Sequence, residues 1–309
     1  MIEEFDKRFS SVLIFLIPLA FVVGYLCKGF LPPYKGSATP ALFVIMFCST
    51  FGLRFSDFLE LGENGPPILV GIALQLLVLP LIAYGVAHHF YSPSREAEFI
   101  IGHLCVSTAP AAISTIIWSR ITGGNIALAV MVVGIHVLLV PFTAPLTLKL
   151  LVGGGHVPML ALSIRLFVAV LLPTVISVSL YRYLDANRVK PLFASIAKLG
   201  MLYMIVLNTS VAASTTPLSW QVARVMGIMA VQVSAFYAVG FLAGRVCRFS
   251  PQSRLTLTYF LGMKNNGAAL VMALAGFAAK SSLPVAIAIA CQQPIASVID
   301  RVWRHQHQG

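Results

Sequence analysis

Charged residues are scarce in this chain, and acidic residues are scarcest. Of the 309 residues, 10% are Asp, Glu, Lys or Arg, and only 10 residues are Asp or Glu. Soluble domains carry roughly 25% charged residues, whereas 58% of this chain is hydrophobic and its mean hydropathy is +0.89. These values exclude an ordinary soluble domain. They predict an all-α polytopic membrane protein, because a spanning helix needs about 20 mostly apolar residues.

Motifs for metal binding, disulfides and secretion are also lacking. The five cysteines are scattered, with no CxxC pair and no metal-ligand spacing, so we interpret them as small core residues and expect no metal. Residues 1–8 lack the features of a cleaved signal, so the first span is expected to be retained. The net charge of +11 does not predict a nucleic-acid partner, because basic residues at helix ends are attracted by anionic lipid headgroups.

Apolar runs separated by Pro, Gly and charged residues predict about ten transmembrane helices. The connections are too short to hold a soluble domain. The larger share of the 21 Lys and Arg falls inside when both termini are placed in the cytoplasm, which is the orientation that the positive-inside rule favours. Five spans per half make the second half, 154–309, an inverted repeat of the first half, 1–153. The predicted spans are 10–29, 38–56, 66–89, 96–121, 125–151, 157–183, 191–213, 219–246, 252–279 and 282–303.

The fourth and ninth predicted spans are interrupted in a similar way. The fourth contains residues 107–115, Ser-Thr-Ala-Pro-Ala-Ala-Ile-Ser-Thr, and the ninth contains residues 262–267, Gly-Met-Lys-Asn-Asn-Gly. Pro110 removes a backbone donor, and small polar residues can satisfy the freed carbonyls. Interrupted helices at corresponding positions of two inverted halves point to the binding site of a transporter. The N-termini of the half-helices would direct partial positive charge toward that site.

Lys264 is a charged residue near the middle of the ninth apolar run. A charge at that depth costs a few kcal/mol at least, and no Asp or Glu lies at the centre of a predicted span to neutralise it. Four hypotheses are open. Lys264 is a fixed cation that holds crossing helices together, a titrating group that couples transport to protons, a ligand for a substrate carboxylate, or a snorkelling lysine that reaches the interface.

Other polar residues near the two breaks complete a candidate site. Asn and Gln amides can donate to a substrate and can also satisfy freed carbonyls. Ser and Thr hydroxyls in these positions can instead donate to carbonyl groups of their own helix, which would be a structural role. An isolated polar residue in a span usually forms a hydrogen bond with a neighbouring helix. The candidate substrate-binding residues are Lys264, Asn265, Asn266, Ser114, Thr115 and His136, and those of a coupling or core network are Lys264, Gln75 and Met263.

Three stretches resemble the bile acid:sodium symporter family of secondary transporters. They are residues 262–267, the fourth predicted helix from Pro110 to residues 124–128 (Gly-Asn-Ile-Ala-Leu), and residues 75–80 (Gln-Leu-Leu-Val-Leu-Pro). The resemblance extends in order over nearly the whole chain. It implies a panel domain and a core domain, with the two broken helices crossing in the core. It also implies transport of organic anions, such as bile acids, pyruvate or pantoate, coupled to sodium.

The positions that would bind sodium in that family are largely replaced in this sequence. The family's Glu falls on Phe260, its Gln on Lys264 and its Ser-Asn pair on Thr115 and Ile116, whereas Gln75, Met263 and Asn265 match. Two like charges about 4 Å apart repel by several kcal/mol at an effective dielectric of about 20. We therefore expect that sodium does not bind in the usual way and that no other cofactor is needed.

The sequence thus predicts a secondary transporter of a small organic anion that works by alternating access in the bacterial inner membrane. It does not predict an enzyme, because the spans contain no nucleophile–base pair, no carboxylate pair and no metal motif. One alternative is a proton-coupled symporter or anion exchanger that uses Lys264. Another is a sensor or degenerate paralogue that keeps the fold without transporting. The substrate and the oligomeric state remain open.

Overall fold

The computed structural model describes residues 2–53, 64–153 and 157–307, and the regular elements in these ranges are all helical. The predicted boundary between the two halves falls at 154, and the predicted second span ends at 56, so both points lie outside the described residues. The helices are α1 Ile2–Leu26, α2 Ala38–Thr50, α3 Gly65–Phe90, α4 Pro93–Thr108, α5 Ser114–Thr122, α6 Ile126–Val152, α7 Met159–Tyr183, α8 Ala186–Thr215, α9 Trp220–Val246, α10 Pro251–Gly262, α11 Asn266–Gly276 and α12 Ser282–His307.

Within the described ranges, six helical segments are long and apolar enough to cross a membrane. They are Gly65–Phe90, Ile126–Val152, Met159–Tyr183, Val189–Thr215, Trp220–Val246 and Ala279–His305. Shorter apolar helices cover Phe15–Gly29 and Asn266–Gly276. The prediction of an all-helical membrane protein is therefore confirmed, while the count of ten spans and their inverted repeat stay predictions.

Each interrupted span consists of two helices separated by a short non-helical segment. Helix α4 ends at Thr108 and α5 begins at Ser114, so the first gap contains Pro110. Helix α10 ends at Gly262 and α11 begins at Asn266. A Cβ atom on Gly262 would lie 2.2 Å from the ring of Tyr237, so only glycine lets α9 approach the second gap this closely.

The helices can be divided into two groups, which also pack on each other through α6 and α7 and through α8 and α12. Helix α1 packs on α8, and α2 packs on α7 and α8. In the second group α9 packs on α10 and α12, and α4 packs on α3, α6, α11 and α12. Small residues permit the closest approaches: a Cβ atom on Gly240 of α9 would lie 2.5 Å from the carbonyl oxygen of Leu257 in α10. Such close backbone packing is what associates helices in lipid, where apolar side chains gain little from meeting one another.

Candidate functional site

The two gaps cross each other inside the second helix group. The Ala112 backbone N–H donates to the Met263 carbonyl at 3.1 Å, and the Asn265 N–H donates to the Pro110 carbonyl at 2.8 Å. The chain therefore forms a short antiparallel bridge at this point. Backbone groups released by two broken helices bond to each other here, as a water-free environment requires.

Two side chains from other helices also hold the crossing. His136 of α6 accepts from the Ala111 backbone N–H through Nδ1 at 3.0 Å. The ring therefore carries its proton on Nε2, which is buried without a partner among the described residues. Gln292 of α12 accepts from the Lys264 N–H at 3.1 Å and donates to the Asn266 side-chain oxygen at 3.2 Å. One amide from α12 thus fixes both the second gap and the start of α11.

The Lys264 side chain lies inside the protein, since the residue is only 2% exposed. Its Nζ donates to the side-chain oxygen of Gln75 and lies 5.6 Å from the ring centroid of Phe236. Gln75 lies in a π-helical turn of α3, and its Nε2 donates to the Ser107 carbonyl at 3.0 Å, which turns its oxygen toward the ammonium. In the described part of the chain, no carboxylate pairs with Lys264. This burial does not support the snorkelling hypothesis.

A cavity of about 280 Å³ adjoins the crossing. Helices α2 and α8 form one wall, and the two gaps together with α12 form the opposite wall. The polar residues of its lining offer amides, hydroxyls and ammonium groups, and no described acidic residue lines it. These polar residues are Ser49, Ser114, Lys198, Lys264, Asn265, Asn266, Gln292 and Gln293.

The structure brings only part of the predicted substrate site to this cavity. Ser114, Asn265 and Asn266 line it. Lys264 also lines it, but its ammonium bonds Gln75, which does not line it. Thr115 and His136 are 0% and 1% exposed and do not line it.

The two remaining predicted residues belong to the contacts within the second helix group. Gln75 binds the ammonium, and Met263 accepts from the Ser114 hydroxyl through its sulfur at 3.4 Å. Their assignment to a coupling or core network stays a prediction.

Sequence reasoning missed three side chains that the structure adds. Phe236 faces the ammonium, Gln292 holds the crossing, and Lys198 lines the cavity from α8. Only Gln292 had a local signal, because Gln292 and Gln293 are adjacent amides followed by Pro294 within an apolar helix. Nothing in the sequence around Phe236 or Lys198 shows which helix face meets the crossing.

The helix termini at the crossing give the cavity a positive electrostatic character. The first turns of α5 and α11 both contribute lining residues. Asn265 caps α11 by accepting from the Ala268 N–H at 3.1 Å, whereas no side chain caps α5. Helix N-termini carry partial positive charge and free N–H groups, which favour anions.

Two broken helices that cross beside a cavity, within a bundle of apolar helices, are typical of the binding site of a secondary transporter. The model of the Sodium Bile acid symporter family matches residues 39–216, which is more than half of the chain. The chain belongs to this family, whose members are transporters rather than enzymes. It is therefore an integral membrane protein.

Several relatives match along most of the chain. The uncharacterized protein YbaS of Bacillus subtilis is 24% identical over 289 residues, which cover 92% of this chain and 94% of that protein. The uncharacterized sodium-dependent transporter YocS of the same organism is 25% identical, over 84% of this chain and 80% of that protein. The probable sodium/metabolite cotransporter BASS2 of rice chloroplasts is 26% identical, over 87% of this chain and 64% of that protein.

Proposed function

We propose that this protein carries a small organic anion across the bacterial plasma membrane by alternating access, with the Lys264 ammonium in place of a coupling sodium ion. The observation that carries the proposal is the bond from the Lys264 Nζ to the Gln75 oxygen, directly behind the crossing of the two broken helices. A fixed cation at this place would keep the crossing assembled without an ion from solution.

The lining of the cavity supports an anionic substrate. Asn265, Asn266 and Gln292 offer amide groups, and Lys198 adds an ammonium from the facing wall. The uncapped start of α5 adds backbone donors beside Ser114. With no described acidic residue in the lining, a carboxylate meets amide and backbone donors on the wall that the crossing forms. A volume of about 280 Å³ suits a small metabolite, since ligand pockets for drug-sized molecules are about 300–1,000 Å³.

The residues around Lys264 do not suit a sodium ion. Such a hard cation prefers several oxygen ligands, but the Gln75 oxygen already accepts from Lys264, and the ring of Phe236 lies 5.6 Å from the Lys264 Nζ. Repulsion between an ammonium and a sodium ion about 4 Å apart is about 4 kcal/mol at an effective dielectric of 20. That repulsion alone weakens sodium binding by about a thousandfold. YocS and BASS2 are named as sodium-dependent or sodium-coupled, so this chain would differ from them in coupling.

The two helix groups suit alternating access. In the proposed arrangement of ten spans in two inverted repeats, α1, α2, α7 and α8 form the panel and the remaining helices form the core. The cavity lies between them and extends toward Ser49 and Lys198, at the end of the bundle that the charge distribution places in the cytoplasm. This conformation is the inward-facing one, and movement of the core against the panel would expose the same residues to the other side.

Uptake into proteoliposomes tests the proposal. Labelled pyruvate, pantoate and taurocholate are offered with sodium or choline as the only external cation, and with or without a pH gradient. We expect saturable uptake of one of these anions at equal rates in sodium and choline. Saturable uptake that requires sodium would overturn the fixed-cation proposal but leave the transporter assignment intact.

Proton coupling is the second candidate, because the Lys264 ammonium bonds a neutral amide and no described carboxylate. A group of this kind can lose its proton without breaking an ion pair. Uptake driven by an inward proton gradient in the wild type, and lost in Lys264→Gln, would favour this coupling. If the proton gradient does not affect uptake, uniport and exchange remain as mechanisms. Preloading the vesicles with unlabelled anion distinguishes these two.

A further inference from the structure

A second cavity, separate from the one at the crossing, lies on the outer face of the bundle between α9 and α12, with α10 as its floor. Its volume is about 360 Å³. Residues spaced by a helical turn form the walls, at 234–241 in α9 and 295–303 in α12. At 1.5 Å per residue the groove is about 10 Å long, and it runs parallel to the two helices.

The groove has an apolar surface. Val298 and Val302 of its α12 wall are 59% and 52% exposed. The Tyr237 hydroxyl donates to the Gln292 carbonyl at 3.1 Å, and the Thr258 hydroxyl donates to the Arg254 carbonyl at 2.8 Å. These two hydroxyls therefore already have partners, and what the groove offers a ligand is mainly hydrocarbon contact. A lipid acyl chain matches this shape and chemistry.

Arg254 lies at one end of the groove, held between two of its aromatic rings. Its guanidinium carbon is 5.4 Å from the centroid of Phe241 and 5.6 Å from that of Trp303. Its stem rests on Gly244, where a Cβ atom would lie 2.8 Å from the Arg254 Cβ. Its Nε is buried and has no partner in the described part of the chain. The rings fix the guanidinium plane without using its N–H donors.

Among the described residues, Arg245 adds a second cation at this end of the groove. It is exposed and lies one helical turn after Phe241, on the same face of α9. The nearby acid Asp300 is already paired with Arg304 at 2.7 Å. Planar guanidinium groups bind phosphate well. This end is the one predicted to be cytoplasmic, where the leaflet contains anionic lipids.

We propose that this groove is a binding site for an anionic phospholipid. One acyl chain would lie between α9 and α12, and the phosphate would accept from the Arg254 guanidinium. The extra negative charge of an anionic headgroup would be offset by Arg245 beside Arg254, whereas a zwitterionic headgroup brings its own cation to this place. The proposal does not depend on the transported substrate, because the groove and the crossing cavity have no lining residue in common.

Lipid titration of the purified full-length protein in detergent tests this site. Phosphatidylglycerol and phosphatidylcholine with identical acyl chains are compared by the lipid occupancy of the intact protein in native mass spectrometry. We expect phosphatidylglycerol to bind more tightly, and Arg254→Gln to weaken it by about fivefold, since a basic residue near anionic lipid contributes about 1 kcal/mol. Phosphatidylcholine also offers a phosphate, but its choline cation offsets that charge, so its binding should weaken less than that of phosphatidylglycerol in the same variant.

Lys280→Gln is the matched control, because it removes an exposed cation at the opposite end of α12. It should leave phosphatidylglycerol binding at the wild-type level. Ala238→Phe narrows the groove from its exposed α9 wall without changing charge, and should reduce occupancy by both lipids. Equal affinities of the wild type for the two lipids would overturn the proposal, as would an Arg254→Gln variant that matches the wild type. If Arg254→Gln does not fold, unchanged binding by Ala238→Phe would still overturn it.

Discussion

The Lys264 ammonium donates to the side-chain oxygen of Gln75, and this bond joins the gap after α10 to the π-helical turn of α3. The two partners are not equivalent. Lys264 carries the charge, whereas Gln75 is neutral and is held in place by the Ser107 carbonyl. Replacing Lys264 by an apolar residue removes the cost of burying a charge. Replacing Gln75 instead leaves the buried Lys264 side chain without its hydrogen-bond acceptor.

This asymmetry predicts the outcome of a double-mutant cycle. Gln75→Leu should lower the free energy of unfolding by about 1–3 kcal/mol, because the buried Lys264 side chain loses its hydrogen-bond acceptor. Lys264→Met should leave stability at or above the wild-type level, since an apolar side chain of similar length replaces an ion. The double variant Gln75→Leu/Lys264→Met should regain most of what Gln75→Leu loses. Thermal unfolding of the detergent-solubilised protein measures all four forms.

The same variants separate stability from transport. Lys264→Met should fold well but transport poorly, because nothing then holds the crossing in place of an ion. Additive effects of the two substitutions on stability would show that Lys264 and Gln75 do not interact in solution, and would remove the basis for a fixed cation.

Asn265 gives a second prediction, because its side chain caps α11 and the residue also lines the cavity. Its oxygen accepts from the Ala268 N–H, and its nitrogen lies 3.1 Å from the Met46 sulfur. Asn265→Asp keeps the capping acceptor but places a negative charge in the cavity. We expect normal stability and at least a tenfold loss of anion uptake, since each 1.4 kcal/mol of repulsion lowers affinity about tenfold.

Asn125 provides the matched control for that substitution. It caps α6 in the same way, by accepting from the Leu128 N–H at 2.9 Å, and it does not line the cavity. Asn125→Asp should therefore leave uptake unchanged. If both variants lose uptake equally, the effect of Asn265→Asp comes from the cap rather than from charge in the cavity.

The helix positions and both interruptions were predictable from sequence, because they depend on local features. Pro110 cannot donate a backbone hydrogen bond, and the Gly and Asn residues at 262–267 weaken a helix wherever they stand. Both gaps are found where these residues predict them. The burial of Lys264 also followed from the apolar run around it.

The direction of the Lys264 side chain was not predictable, because it is decided by distant residues. Gln75 is 189 positions away along the chain and turns its oxygen toward the ammonium only because Ser107 holds its other end. The contribution of Lys198 to the cavity depends in the same way on how α8 packs against α2. Thr115 and His136 were grouped with the substrate site on sequence position alone, and the structure buries both away from the cavity.

A third prediction concerns the recovery of sodium dependence. The resemblance of residues 262–267 to the family implies Glu and Gln at the positions of Phe260 and Lys264, so Phe260→Glu/Lys264→Gln would introduce oxygen ligands at both positions. We expect this double variant to show uptake stimulated by sodium, and a thermal midpoint that rises as sodium is added. Phe260→Gln/Lys264→Gln has the same shape without the carboxylate and should show neither response. A sodium response in the wild type itself would contradict the reasoning.

Gly240 supplies a fourth prediction, on the packing that positions the second gap. Gly240→Ala places a methyl group 2.5 Å from the Leu257 carbonyl, which cannot move without shifting α10. We expect a loss of about 1–3 kcal/mol in the free energy of unfolding. Gly227 lies in the same helix with nothing within 4 Å of its added Cβ. Gly227→Ala should therefore be neutral or slightly stabilising, and a similar loss at both positions would contradict the packing argument.

The direction in which the crossing cavity opens can be tested by thiol labelling. Ser49 lines the cavity near the end of α2, and Lys35 is exposed before the start of the same helix. Cys27→Ser/Cys247→Ser is the background, because the other three cysteines are buried. In this background, Ser49→Cys should react with a membrane-impermeant maleimide only from the cytoplasmic side of the membrane. Lys35→Cys should react only from the opposite side. A transported anion should slow labelling of Ser49→Cys but not of Lys35→Cys, because only the former lies in the cavity. Labelling of Ser49→Cys from outside alone, with Lys35→Cys labelled from inside, would show that the whole orientation is reversed.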